Sequence, residues 1–174
     1  MSSEFRKFGD AARLYANNAK VVDRMREAYQ TDVGAFLDTL NERIAELVQP
    51  RTLQQRTMGR VYYNWWLGKD THDDDEHPCL WIDPTLPRIV VPGILHVTVD
   101  ISGKMAAYGE QFSAVQSQLQ LPSSCSIEKG EQDGIFTVIM RYETEDDPVT
   151  FIAGQIASLL IALDAVEKKL NDLR

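Results

Sequence analysis

Residues 124–143, SCSIEKGEQDGIFTVIMRYE, set the fold class. Two runs, 124–129 and 135–143, the second rich in β-branched and aromatic residues, flank the loop 130–134, which has glycine at both ends. That pattern predicts a β-hairpin, and therefore antiparallel pairing. On the second run Phe136, Val138, Met140 and Tyr142 alternate onto one face. Upstream, Met105, Tyr108, Phe112, Val115 and Leu119 recur at helical spacing behind a candidate N-cap at Ser102, and the pattern ends before Pro122. Before that helix, 94–101 reads as a strand with Leu95, Val97, Val99 and Ile101 inward. It follows β-rich 88–91 across a bend at Pro92-Gly93. Residues 79–83 form a short strand. Residues 61–67 form another, with Val61, Tyr63, Trp65 and Leu67 on one face and Tyr62, Asn64 and Trp66 on the other. The polar stretch 51–59 reads as a helix end or connector. Downstream, Asp147 with Pro148 is a strong helix start, and 151–173 supplies a broad apolar face.

The first fifty residues carry one long helical pattern. Phe5, Phe8, Ala12, Tyr15, Ala19 and Val22 alternate three and four apart. Met25, Tyr29, Val33, Phe36, Leu40, Ile44 and Leu47 continue the stripe, with Val22, Val33 and Ile44 eleven apart. Pro50 closes it. The pattern fits either two helices broken near Asn17-Asn18 or Thr31–Gly34, or one helix. A single helix of about 45 residues would reach roughly 65 Å and call for pairing with another chain. The expected architecture is thus α+β: a long N-terminal helix or helix pair, then an antiparallel sheet in the order βββ-α-ββ-α. Residues 1–50 are assigned to a dimerising helical segment and 51–174 to an α+β domain, the two expected to form one structural unit.

Charge narrows the choice of partner. With 18 basic and 26 acidic residues among 174, the chain carries −8, and its pI is near 4.9. Direct binding of duplex nucleic acid is disfavoured, because phosphate recognition draws on a basic footprint. The first fifty residues contribute only −1, whereas 68–83 and 128–147 contribute −5 each. Cys79 and Cys125 belong to no paired motif, which points to a reducing cytoplasm. Charges at Glu4, Arg6 and Lys7 leave no room for a leader's apolar stretch. No uninterrupted apolar run approaches the roughly 20 residues of a membrane span, so no membrane partner is expected.

Candidate chemistry is sparse. His72, Asp74 and His77, within an acidic loop, are residue types that bind divalent metals. Neighbouring residues cannot all converge on one ion, however, and an exposed acidic loop tip is the plainer reading. His96 and Asp100 share a strand face but stand about 13 Å apart, too far for a direct acid–base pair. Asp100 and Glu128 could serve a metal-dependent nuclease centre, although Glu128-Lys129 lacks the spacer residue of a Glu-x-Lys pair. Dinucleotide, P-loop, nucleophile-elbow and zinc-protease motifs are all missing. No cofactor is expected. The face of Tyr62, Asn64 and Trp66 is the candidate surface for a partner protein or peptide.

In its order of elements across about residues 35–173, the chain resembles the class I chaperones of type III secretion. The resemblance rests on architecture, carries no sequence motif and transfers no site residue. It implies an acidic dimer that holds an unfolded protein segment on apolar patches without ATP. The 45-residue helical lead is additional to that pattern. The function expected from the sequence is therefore non-enzymatic: a homodimer that binds another protein as chaperone, adaptor or inhibitor-like acidic partner. The alternative is a metal-dependent nuclease-related domain, or an accessory domain in a nucleic-acid-processing complex.

Overall fold

The computed structural model describes residues 9–58, 62–68, 79–82, 93–101, 103–130, 135–143 and 145–171. It is an α+β structure that divides into two compact units, 1–37 and 38–174. The N-terminal pattern forms one helix, α1 (Asp10–Leu47), whose last ten residues belong to the second unit. Both suspected breaks are bridged. Asn18 Nδ2 donates to the Leu14 carbonyl and Thr31 Oγ1 to the Glu27 carbonyl, each at 2.9 Å. Bonds of this kind, back to the carbonyl four residues earlier, are the local partners such side chains find inside a helix. Within the second unit Leu40, Asn41, Ile44 and Val48 are buried, while Leu47 is exposed. The stripe expected at Leu40-Ile44-Leu47 is thus displaced by one residue at its end. The chain then turns, with Val48 N–H donating to the Ile44 carbonyl and Arg51 N–H to that of Val48.

Six strands follow among the described residues, outside which the β-rich stretch 88–91 lies: β1 (Leu53–Met58), β2 (Tyr62–Leu67), β3 (Cys79–Ile82), β4 (Ile94–Asp100), β5 (Cys125–Lys129) and β6 (Phe136–Arg141). They form one antiparallel sheet in the order β1-β2-β3-β4-β6-β5. β1 corrects the sequence reading, which took 51–59 for a helix end or connector. Its residues Leu-Gln-Gln-Arg-Thr-Met have little intrinsic strand preference, and pairing along the whole of β2 supplies what propensity does not. The hairpin β5–β6 is as expected. At its mouth Gly130 N–H donates 2.8 Å to the Ile135 carbonyl. A Cβ on Gly130 would lie 2.7 Å from that oxygen, so only glycine closes the ladder there.

Between β4 and β5 the single expected helix is broken up. A 3-10 helix spans Gly103–Tyr108, followed by α2 (Gly109–Ser113) and α3 (Val115–Gln118). Two glycines and a serine within eleven residues weaken a continuous helix, while Phe112 and Val115 still reach the core as their spacing predicts. α4 (Pro148–Asn171) begins where expected. Thr150 N–H donates to Asp147 Oδ1 at 3.0 Å, and hydrogen bonding from the Thr150 side chain, with this N–H second, holds the Asp147 carboxyl below its ordinary pKa.

α4 packs on β2, β3 and α2. The core lies between it and the sheet face formed by Trp65, Leu67, Leu80, Leu95, Val97, Val99, Phe136, Val138 and Met140. β4 shows strict alternation, with Leu95, Val97 and Val99 buried between half-buried neighbours. Averaged over its best window, α4 has a mean hydropathy of 1.9, enough by length and composition to cross a membrane. Run length alone does not reveal this, because Gln155, Ser158 and Asp164 interrupt the apolar stretch. Ile152, Ile156, Leu159, Leu160 and Leu163 are all buried in the core, and a core helix needs the same composition.

Two polar contacts fix the frame. Trp65 Nε1 donates to Asn41 Oδ1 at 2.5 Å, with both residues buried. Arg51 donates twice to Asp164, at 2.9 and 2.6 Å, tying the chain ahead of β1 to α4. Lys168 lies 3.2 Å from the same carboxylate. Burial raises the Asp164 pKa more than Arg51 lowers it, so this pair serves position more than stability. Trp65→Phe leaves the Asn41 oxygen buried without its donor, and urea titration should show a loss of about 1–3 kcal/mol. Adding Asn41→Leu should cost less than the sum of the single effects; strict additivity would show that the bond is not coupled to stability.

Candidate functional site

The sheet register decides what the candidate residues can do together. On β4, His96 stands opposite Ile139, Thr98 opposite Thr137, and Asp100 opposite Cys79. On the other side of β6, Glu128 also faces Thr137. His96, Asp100 and Glu128 therefore share one sheet face, but they do not converge. Glu128 is two strands from Thr98, about 10 Å across the ladder, and His96 and Asp100 lie a strand step to either side of Thr98. The position between them is taken by a hydroxyl pair, Thr98 Oγ1 to Thr137 Oγ1 at 2.9 Å. Among the described residues no group of three His, Cys, Asp or Glu side chains is arranged to hold a metal ion. The nuclease-type assignment of Asp100 and Glu128 is corrected on this geometry: a shared face is not a shared ligand sphere. His72, Asp74 and His77 lie outside the described residues.

The face proposed for a peptide is also altered. On β2 the backbone of Tyr62 pairs with Met58, Asn64 with Arg56 and Trp81, and Trp66 with Gln54. Asn64 is half-buried, whereas Trp66 is only 7% exposed. Trp66 therefore offers no accessible ring as an anchor. Alternation tells which side of the strand a residue takes; it does not tell whether that side is covered.

An accessible apolar surface lies elsewhere, on residues 11–25 of α1. Leu14, Tyr15, Val21, Val22 and Met25 are 40–68% exposed. Ala11, Leu14, Tyr15, Asn18 and Val22 line a shallow open depression. The sequence reading found Tyr15, Val22 and Met25 in its stripe but passed over Leu14 and Val21. The signal was present in a second seam, Ala11-Leu14-Asn18-Val21-Met25, spaced three and four, which runs one residue behind the first as far as Val21 and shares Met25 with it. Read together, the two seams make one broad apolar face.

Comparison with known proteins finds no matching family model, no similar curated protein and no similar solved structure. The surface must be interpreted from its own chemistry.

One titration follows from the sheet face. Desolvation raises the Asp100 pKa in the folded state. Ionised Asp100 therefore subtracts from stability above the carboxylate range and costs nothing once it is protonated in both states. Asp100→Asn should be more stable than the parent at neutral pH, with the difference closing as pH falls through the usual carboxylate pKa. A variant of equal or lower stability at neutral pH would contradict this environment for the side chain.

Proposed function

We propose that this chain is a homodimeric protein-binding protein of the chaperone or adaptor kind, acting by association and not by catalysis, with the exposed face of residues 11–25 as its dimer contact. The observation that carries the reading is the set of five large apolar side chains, each 40–68% exposed along one helix face. A contiguous patch of that kind is uncommon on a protein that works as a monomer. Fully burying such a side chain is worth about 1.5–3 kcal/mol, and each is about half exposed. Ten of them, from two copies, contribute on the order of 10 kcal/mol, comparable with the cost of association. The dimer is therefore expected to form in a concentration-dependent way.

Charge supports a second copy as the first partner. Residues 1–37 hold six basic and five acidic side chains, for +1, which leaves −9 on residues 38–174. A seam on the acidic unit would set like charge against like charge. A seam on the nearly neutral helix places no excess of like charge in the contact itself. The order of helix and antiparallel strands after residue 38 supports the chaperone-like part of the reading, with β1 as an extra strand.

Sedimentation velocity tests the dimer. The parent should shift from monomer to dimer mass as concentration rises through the micromolar range. Met25→Glu, which would bury a charge in the contact, should raise the dissociation constant at least about tenfold, with far-ultraviolet circular dichroism unchanged. A parent that stays monomeric throughout, or a Met25→Glu variant that dimerises as well as the parent, would overturn the assignment.

A further inference from the structure

We infer that the second copy lies parallel to the first and in register along residues 11–25, with Asn18 of one chain paired to Asn18 of the other; this rests on the dimer reading above. Ala11, Leu14, Asn18, Val21 and Met25 follow the three-four spacing of a two-stranded seam, and Leu14 and Val21 take alternate positions on it. Asn18 is the polar residue at the middle of that apolar row. Its amide carries two N–H donors and a carbonyl acceptor, and one N–H satisfies the Leu14 carbonyl at 2.9 Å. An amide of this kind is complementary to itself. The occupant that satisfies it by symmetry is another copy of the same residue at the same height.

Orientation follows from that requirement. In a parallel, in-register pair, like positions of the seam face each other, so the two Asn18 amides meet inside the contact. In an antiparallel pair, alternate positions face each other, and Asn18 would be set against the aliphatic chain of Leu14 or Val21. A buried amide without a partner is penalised, and a single Asn on a seam is a known way of fixing register and strand number. The flanks agree with the parallel arrangement. Each flanking residue then meets the one five positions on in the other chain, which sets Asp10 beside Tyr15 and Arg24 beside Tyr29. A carboxylate can accept from a phenol, and a guanidinium can lie over a ring. No like charges face each other across either pair.

Cysteine pairing in the full-length protein tests this. On a background with Cys79 and Cys125 replaced by Ser, Leu14→Cys and Met25→Cys chains carrying tags of different size are mixed, oxidised mildly and resolved without reductant. Sedimentation of the same samples before oxidation reports whether the dimer forms. The inference expects each variant to cross-link to its own kind, with the Leu14→Cys to Met25→Cys product at background. It also expects Asn18→Val to bind its copy more tightly while losing that selectivity, so that mixed products rise. A dimer whose main product joins Leu14→Cys to Met25→Cys, or a dimer that cross-links at neither site, overturns the parallel seam and leaves homodimerisation standing. Absence of any dimer overturns the proposed function itself.

Discussion

The hydrogen bond from the Trp65 indole to Asn41 is the constraint around which the α+β unit is organised. A tryptophan fully buried on the inner sheet face brings the largest apolar payload in the core, together with an N–H that must find an acceptor once water is excluded. Asn41 supplies that acceptor from the last turns of α1. Its position there fixes which face of residues 38–48 turns inward, and so explains why Leu40, Ile44 and Val48 are buried while Leu47 is not. The Arg51–Asp164 pair then ties the chain ahead of β1 to α4, which covers the same sheet. One apolar layer and two polar anchors account for the packing of this unit.

The same physical rule, applied to residues 11–25, gives the opposite outcome. Apolar side chains recur there at helical spacing as they do in 38–48, yet they stand exposed. Hydrophobic surface kept accessible along a helix of near-zero net charge is surface available for association. The strongly acidic part of the chain brings repulsion toward a second copy instead. The association proposed through residues 11–25 would account for the exposed stripe.

Much of this was legible in the sequence, and the limits have physical causes. The alternation of β4, the glycine-bounded hairpin and the Asp147-Pro148 helix start each rest on local rules, and each is realised at the expected residues. β1 escaped notice because its residues form a strand through pairing with β2, a non-local effect that composition does not carry. Trp66 was placed on its proper strand face, but its burial depends on what covers that face. The register brings His96, Asp100 and Glu128 to one sheet face. Only the strand order, with β6 between β4 and β5, shows that they stand too far apart to act together. For α1, periodicity found the stripe, but two seams one residue apart could not be ranked until exposure was known.

Self-association, as proposed, would close the face of residues 11–25 that stands open in the monomer. Amide hydrogen exchange read by mass spectrometry at low and high protein concentration tests it most directly. Peptides covering residues 10–30 should exchange quickly in dilute solution and become protected as concentration rises, while peptides of β4, β6 and α4 should exchange alike at both concentrations. Protection of residues 10–30 that does not change with concentration would contradict it.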